Sequence, residues 1–403
     1  MSRTIAVVCM GGAGHVQVLR PVIAGLARRG YDVRVLTRAD YRATVAAAGG
    51  QFADLYAERP LDAADATSTP LPCRFVSFAA EYAASVAREI ATFTPALIVY
   101  DTFTVVAPVA ARMLDLPYVN VCPNHAPVPG RAVAALRADP RVRVSDACRR
   151  AVERLRREHG MHDASPFAYV ETLSPFLNLY CEPPEFLPAE DHAAFAPVEF
   201  LGSLAPELAP PPPAPPPPPR RRPRVYVSFG TGVFRYFAPS ALAALRAVGW
   251  ALAGRDLDVV VSLGGHELAP AVRAALAAPN VRVERWVDQW TALAAADAFV
   301  THHGLSSTHE SIFHGVPMIS YPFFGDQPAL ARRCQDLGLA RALGDEPRAP
   351  IDPDALRAAI TRATERRADF APRLAEARGW ELRTLARREA VLDRVLAATG
   401  AGA

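Results

Sequence analysis

The chain has 403 residues, of which 51% are hydrophobic and 21% charged, and 44 basic residues nearly balance 41 acidic ones. This composition predicts two folded domains of ordinary size rather than a disordered chain. A formal charge of +3 without a basic stripe disfavours nucleic acid as a partner, and no apolar run is long enough to span a membrane. Six scattered cysteines without a CxxC pair favour a reduced, cytoplasmic protein.

Short apolar strands alternate with helical patterns along both halves of the chain. The strand candidates in the first half are TIAVVC, DVRVLT, ALIVYD, YVNVC and FLNLYC, and those in the second half are RVYVSF, DVVVSL, VRVERW, AFVTH and PMISY. Such an alternation is typical of parallel sheets that helices cover on both faces. The sequence therefore predicts an α/β protein with two tandem Rossmann-like domains facing a cleft, where ligands bind beyond the carboxyl ends of the strands.

A proline-rich segment separates the two halves. Residues 210–219 predict an extended polyproline II strut of about 31 Å at roughly 3.1 Å per residue, and a ligand for SH3-type modules is the less favoured interpretation. We predict an N-terminal domain at residues 1–208, a linker at 209–223, a C-terminal domain at 224–375 and a C-terminal helix at 376–403.

Two motifs of the first half are candidates for chemistry. The turn GGAGH, residues 11–15, follows the first strand, but it lacks the G-x-G-x-x-G spacing, which disfavours a dinucleotide cofactor. His15 in the first helical turn is a candidate general base, with simple helix capping as the alternative. Asp101 ends the strand ALIVYD and could orient such a base or cap the next helix.

The stretch THHGLSSTHESIFHGVP, residues 301–317, has a spacing that argues against zinc. His309 and His314 are five residues apart and diverge by about 140° around a helix, so one helix cannot aim both at one ion. We therefore predict them to be packing or surface histidines. His302, Ser306, Ser307 and Thr308 instead stand where a helix begins, and there they predict an anion site, with plain N-capping by a serine as the alternative.

Three further features of the second half predict binding groups. Glu310, one turn into the same helix, could accept hydrogen bonds from two ribose hydroxyls. Trp286 could stack on a nucleobase, or it could be a core or interface tryptophan. Asp326 and Gln327 could bind sugar hydroxyls, or Asp326 could cap a helix.

Together these motifs resemble the inverting GT-B glycosyltransferases, in particular the UDP-glycosyltransferase family that includes plant and antibiotic-producing bacterial enzymes. The most specific part is the stretch from Trp286 to Pro328, which is similar to the donor-binding signature of the family. The resemblance implies His15 as catalytic base, Asp101 as its partner and a C-terminal helix that returns to the first domain. The donor-binding residues that it implies are Gly14, Ser228, Thr231, Trp286, Val287, Gln289, His302, Gly304, Ser306, Ser307, Glu310, Asp326 and Gln327.

The implied reaction is metal-independent transfer of a sugar from a UDP- or dTDP-sugar, without any other cofactor. The acceptor is expected to be a mostly apolar aglycone bound by variable loops within residues 61–78 and 123–144, and the protein to be a monomer or homodimer. The chain departs from the family at His303, Ser306 and His309, where glycine or cysteine, asparagine or glycine, and an apolar residue are usual. Another GT-B enzyme, such as a cell-wall N-acetylglucosaminyltransferase or a nucleotide-sugar epimerase, and a catalytically silent scaffold are the alternatives.

Overall fold

A computed structural model describes residues 3–208 and 222–398. Most of the predicted proline-rich linker, residues 209–221, lies outside the described residues. The chain divides into two compact units. Of the described residues, 3–203 and 384–398 form the first unit, and 204–208 and 222–383 form the second.

The first unit is built on a seven-stranded parallel sheet. Its strands are β1 (Thr4–Val8), β2 (Asp32–Thr37), β3 (Gln51–Asp54), β4 (Leu97–Asp101), β5 (Tyr118–Cys122), β6 (Leu177–Tyr180) and β7 (Val198–Phe200). They lie in the order β3-β2-β1-β4-β5-β6-β7. The helices before the C-terminal one are α1 (Ala13–Arg28), α2 (Arg42–Ala47), α3 (Leu61–Ala64), α4 (Cys73–Thr92), α5 (Val106–Met113), α6 (Pro129–Ala138), α7 (Asp146–Glu158) and α8 (Ala168–Glu171). Short 3₁₀ helices occupy Ala39–Tyr41, Pro184–Phe186 and Ala189–Phe195.

The second unit is built on a six-stranded parallel sheet. Its strands are β8 (Arg224–Ser228), β9 (Asp258–Ser262), β10 (Val281–Glu284), β11 (Ala298–Thr301), β12 (Met318–Ser320) and β13 (Ala340–Ala342). They lie in the order β10-β9-β8-β11-β12-β13. The helices are α9 (Val233–Leu252), α10 (Pro270–Leu276), α11 (Gln289–Ala294), α12 (Leu305–Phe313), α13 (Gln327–Asp336), α14 (Pro353–Glu365) and α15 (Arg367–Ala397), and a 3₁₀ helix spans Pro206–Leu208.

The central strands are apolar because helices cover both faces of each sheet. All five residues of β4 and of β5 are buried, including Asp101 at the end of β4 and Asn120 within β5. In the first unit, α4 and α5 pack their apolar faces on this sheet, and in the second unit α9 and α14 do so. Burial on both faces explains why these strands are continuous apolar runs rather than alternating ones.

The long C-terminal helix α15 contributes to both units. Its residues up to position 383 group with the second unit, and those from 384 group with the first. Val391, Leu392 and Val395 are almost fully buried in the first unit. Leu392 packs so closely on Gly25 of α1 that a Cβ added at Gly25 would lie 2.3 Å from its Cδ1. Glycine at position 25 therefore makes room for the returning helix.

The predicted fold class is confirmed, since both sheets are parallel and helices alternate with strands. All ten predicted strands are present. The three strands that were not predicted, β3, β7 and β13, lie at sheet edges. Within the part of the chain that the structure describes, no helix combines the length and apolarity that crossing a membrane requires.

Candidate functional site

Two polar residues of the first unit meet at the carboxyl ends of neighbouring strands. His15 is the third residue of α1, which follows β1, and Asp101 is the last residue of β4, which pairs with β1. This strand order brings Nδ1 of His15 to 3.2 Å from Oδ1 of Asp101, although the residues are 86 positions apart. The predicted base and its predicted orienting group are therefore in hydrogen-bonding contact.

The carboxyl group of Asp101 is fully buried and accepts three further hydrogen bonds. Its donors are the backbone N–H groups of Met10, at 2.8 Å, and Phe103, at 3.0 Å, and the hydroxyl of Thr104, at 2.7 Å. Burial raises the pKa of Asp101, but the charge of His15 and the hydrogen bonds from His15, Thr104 and Met10 outweigh burial and lower the pKa below its ordinary value. An ionised carboxylate can only accept, so the neutral form of His15 that faces it carries the proton on Nδ1 and has the lone pair on Nε2.

The imidazole of His15 is fixed from two sides and open on a third. Its ring stands edge-on to Phe103 with centroids 4.8 Å apart, and a Cβ at Gly12 would lie only 2.9 Å from its Cδ2. The side chain keeps 19% of its surface exposed. Helix capping does not explain either residue, because Gly12 is the N-cap of α1 and α5 begins only at Val106.

Four hydroxyl side chains end neighbouring strands in the second sheet. In register across β9, β8, β11 and β12 these residues are Ser262, Ser228, Thr301 and Ser320. The hydroxyls of Ser228 and Ser262 each accept a hydrogen bond at 3.3 Å, from the N–H groups of Gly230 and Gly264 respectively. Both glycines have positive φ, and a Cβ at Gly264 would meet the carbonyl oxygen of Gly230 at 2.2 Å, so this close approach requires glycine.

Helix α12 begins with unpaired polar groups beside these turns. Its N-cap is Gly304, which has no side chain to cap the first turn, so N-capping by a serine is excluded. The hydroxyl oxygen of Ser306 and Nδ1 of His302 are buried and make no hydrogen bond of acceptable geometry to the described residues. The first backbone N–H groups of a helix also lack intrahelical acceptors. The donors of this helix end are therefore available to an anion.

His302 is a neutral group at this helix end. Burial lowers the pKa of His302, and the backbone of Ser228 raises it by a smaller amount, so that the resulting pKa is about 4. Its ring fills the space beside two glycines, because a Cβ at Gly230 or at Gly304 would lie 2.5 Å from its Nε2. A neutral imidazole can donate one hydrogen bond to a bound anion without carrying the charge that burial disfavours.

A hydrogen-bonded chain links α12 to α11. The hydroxyl of Ser307 donates to Oε1 of Gln289 at 3.2 Å, and Nε2 of Gln289 donates to Oε2 of Glu310 at 2.7 Å. The Gln289 amide thus orients the Glu310 carboxylate, which was predicted to bind ribose. Trp286 has 64% of its surface exposed, so the alternative of a core tryptophan is excluded and its ring can stack on a ligand.

The structure gives fewer contacts for the other residues that were predicted to bind the sugar donor. Thr231 is exposed and Val287 half-buried. Gln327 uses its carbonyl oxygen within its own loop, accepting from the N–H groups of Phe323 at 2.9 Å and Phe324 at 3.2 Å. Asp326 occupies the N-cap position of α13 without a side-chain capping bond, so simple capping does not explain it. Gly14 in α1 faces open space, since a Cβ there would meet no atom within 4 Å.

The histidines that depart from the family pattern have structural partners. His303 has φ of 59°, a conformation that glycine adopts without strain, and its buried ring bridges the hydroxyls of Thr308 and Ser320 at 3.2 and 2.8 Å. Burial and then the charge of His302 lower the pKa of His303 to about 3. His309 is buried with its Nδ1 2.5 Å from Oε1 of Glu381 in α15. Both replacements are therefore held by the fold of the second unit.

His314 is a packing residue, as its spacing predicts. It is the C-cap of α12, and its ring stands edge-on to Trp290 at 4.5 Å. Burial and the charge of Arg378 lower the pKa of His314 to about 4. Among the residues described, no group of three or more His, Cys, Asp or Glu side chains is placed to hold a metal ion.

Comparison with known proteins finds a family resemblance in the second unit. Residues 222–345 match the family model described as UDP-glucoronosyl and UDP-glucosyl transferase. UDP-glucuronosyltransferase 3A1 of Mus musculus is 51% identical over 53 residues, which are 13% of this chain and 10% of the relative. Oleandomycin glycosyltransferase of Streptomyces antibioticus is 27% identical over 356 residues, covering 85% of this chain and 79% of the relative. The chain spans only 10% to 24% of the length of the mammalian and viral relatives that it matches.

Solved structures match the chain over nearly its whole length. The calicheamicin glycosyltransferase CalG4 is 23% identical with a TM-score of 0.74, and the match covers 99% of both chains. The spinosyn rhamnosyltransferase SpnG in complex with thymidine diphosphate is 21% identical with a TM-score of 0.67, and the match covers 98% of this chain and 100% of that chain. The chain therefore has the GT-B fold of these glycosyltransferases, and its residues 222–345 are similar to the UDP-glycosyltransferase family.

Proposed function

We propose that this protein transfers a sugar from a nucleoside diphosphate sugar to a hydroxyl of a natural-product acceptor, with His15 as the general base. The observation that carries the proposal is the contact between the partly exposed His15 and the fully buried carboxylate of Asp101. The likeness to oleandomycin glycosyltransferase over most of both chains supports sugar transfer to a natural product. A buried carboxylate that orients a histidine is the arrangement that proton abstraction from a hydroxyl requires.

The proposed reaction is a single displacement that inverts the anomeric carbon. Nε2 of His15 takes the proton of the acceptor hydroxyl while its oxygen forms the bond to the anomeric carbon. The bond from that carbon to the diphosphate oxygen breaks, and its electron pair leaves with the nucleoside diphosphate. Asp101 stabilises the resulting imidazolium, which later loses its proton to solvent.

The donor site of this proposal lies at the start of α12. The N–H groups of the first turn, the hydroxyl of Ser306 and the neutral His302 would hold the diphosphate, where the helix dipole favours negative charge. Trp286 would stack on the base, and Glu310 would bind the ribose. Thymidine diphosphate, which the structure of the spinosyn rhamnosyltransferase contains, supports a UDP- or dTDP-sugar donor.

Replacement of His15 by alanine tests the proposal. With UDP- and dTDP-sugars and a panel of hydroxylated polyketides and phenols, the wild type should release nucleoside diphosphate only when an acceptor is added. H15A should lose about a thousandfold or more in kcat and keep its affinity for the nucleoside diphosphate within about twofold. His192 is a half-buried histidine of the same unit whose Nε2 lies 3.1 Å from the carbonyl oxygen of Leu187, so H192A is the matched control and should transfer normally. Full activity of H15A would refute the assignment.

A further inference from the structure

A tyrosine outside the predicted site contacts the turn that leads into the proposed base. Tyr56 follows β3, the strand at one edge of the first sheet, whose order begins β3-β2-β1-β4. Its hydroxyl donates a hydrogen bond to the backbone carbonyl of Met10 at 3.0 Å. Met10 lies in the turn between β1 and α1. Tyr56 therefore links the edge of the sheet to the segment that leads into His15.

Both backbone polar groups of Met10 are bonded to side chains. The N–H group donates to Oδ2 of Asp101 at 2.8 Å, and the carbonyl oxygen accepts from the hydroxyl of Tyr56. The other carboxylate oxygen of Asp101, Oδ1, is 3.2 Å from Nδ1 of His15. A series of hydrogen bonds therefore connects Tyr56 with His15 through Met10 and Asp101.

The Tyr56 side chain is itself held beside the turn. Its backbone N–H donates to Oδ1 of Asp54 at 2.9 Å, and its ring contacts that of Phe78 in α4 with centroids 5.3 Å apart. Burial, and then the charge of Asp101, raise the pKa of Tyr56 above its ordinary value. The hydroxyl therefore stays protonated at neutral pH and remains a donor to the Met10 carbonyl.

The backbone of Met10 depends on these side-chain bonds. Met10 lies outside both β1 and α1, so regular secondary structure does not fix its peptide groups. Without the tyrosine hydroxyl, the Met10 carbonyl would lose this donor and the adjoining peptide groups could rotate. Such a rotation would lengthen the hydrogen bond from the Met10 N–H to Asp101, and the carboxylate would then fix the imidazole less firmly.

We propose that Tyr56 is a positioning residue: through the Met10 backbone it holds the Asp101 carboxylate that orients the proposed base. This inference rests on the proposed function, in which His15 removes the proton of the acceptor hydroxyl. Tyr56 touches no reacting atom in this proposal and acts through Met10. Because the rate of a displacement depends steeply on the orientation of the reacting groups, Tyr56 affects kcat rather than substrate binding.

Replacement of Tyr56 by phenylalanine tests this inference, and Tyr82 offers the matched control. Y56F removes the hydroxyl and keeps the ring. Tyr82 in α4 also contacts the ring of Phe78, at 4.9 Å, but its hydroxyl makes no hydrogen bond to a described residue. Y82F therefore makes the same chemical change without removing a bond to the turn. The variants are made in the full chain with 15N-labelled histidine, and H15A assigns the signals of His15.

The readout is the position of the imidazole proton of His15, measured from 15N shifts in alkaline buffer, where imidazoles are neutral. In the wild type, the buried carboxylate should keep the proton on Nδ1 in nearly all rings. Y56F should raise the fraction of rings with the proton on Nε2 about fivefold, the effect of losing one hydrogen bond of ordinary strength. Y82F should match the wild type. An unchanged fraction in Y56F, or an equal increase in Y82F, would overturn the inference.

Steady-state kinetics give a second readout that a merely structural role would not move. With an acceptor that the wild type glycosylates, Y56F should lower kcat about fivefold and leave the KM values of donor and acceptor within about twofold. Y82F should keep the wild-type kcat. A change in the KM values of Y56F without a change in kcat would contradict a positioning role.

Failure of this inference and failure of the proposed function are distinguishable, because the imidazole shifts require no donor and no transfer. Loss of activity in H15A with an unchanged proton position in Y56F would retain the enzyme assignment and remove Tyr56 from the site. Full activity in H15A with a shifted proton in Y56F would refute the proposed function, while Tyr56 would remain the residue that holds Asp101 and His15 in place.

Discussion

Two serines of α12 differ in a way that separates ligand binding from stability. The hydroxyl of Ser306 is buried and finds no hydrogen-bond partner among the described residues, whereas that of Ser311 is buried and donates to the carbonyl of Val316 at 2.9 Å. Removing a buried hydroxyl that has no partner relieves an unfavourable burial, and alanine is the better helix former by about 0.5 kcal/mol. S306A should therefore raise the free energy of unfolding by about 0.5–1 kcal/mol, and S311A should lower it by about 1–2 kcal/mol because it leaves a carbonyl unpaired.

The same two variants should show the opposite order in nucleotide binding. A hydrogen bond from a hydroxyl to a charged phosphate contributes about 1.5–3 kcal/mol, so S306A should bind UDP and dTDP about tenfold to a hundredfold more weakly. S311A should bind both within about twofold of the wild type. Calorimetric titration and guanidinium unfolding measure the two effects on the same samples. Wild-type affinity of S306A for both nucleotides, or a loss of stability as large as that of S311A, would refute the anion site.

Further predictions concern both units. D101N should lower kcat about a thousandfold or more, because its amide either leaves a backbone N–H unpaired or forces His15 into the wrong tautomer, and activity near wild type would exclude the pair from catalysis. Because the pKa of His303 is lowered to about 3 from an ordinary 6.5, the unfolded chain binds more protons below pH 6.5 and stability falls as the pH drops. H303N should reduce that slope by about 1.4 kcal/mol per pH unit in unfolding measured between pH 5 and 6. G14A should stabilise α1 by about 1 kcal/mol and, if substrate approaches its backbone, weaken transfer. Transfer should persist in excess EDTA.

Strands that are buried on both faces are predictable from the sequence, because a short continuous apolar run is compatible with few structures other than a buried strand. The three unpredicted strands are short and lie at edges, where one side of the strand lacks a partner strand and polar residues are tolerated. Gln51 begins β3, Glu199 is central in β7 and Arg341 is central in β13. These edge strands form because a neighbouring strand pairs with them, and their own sequences show no apolar run that would predict them.

Site residues that follow predicted strands could be predicted from the sequence. Contacts between side chains that are far apart in the sequence could not. Asp101 ends β4, His302 directly follows β11 and His15 lies in the first turn of the helix that follows β1, so the fold class already groups them by unit. His309 contacts Glu381, 72 positions away, and His125 contacts Glu182, 57 positions away. No local pattern contains such pairs, because packing alone brings them together.

The return of α15 has a consequence for synthesis and for engineering of the chain. The first unit needs residues 384–398 to close its core, since Val391, Leu392 and Val395 are buried in it and Arg29 pairs with Glu389 and Asp393 at its surface. When residues 3–203 have left the ribosome, the first unit is still incomplete, and its apolar face around Gly25 stays uncovered until residues 384–398 have also been synthesised. A hybrid that exchanges the first unit with that of a relative must likewise exchange two separate segments, and a junction placed only near residue 208 would pair α1 with a foreign helix.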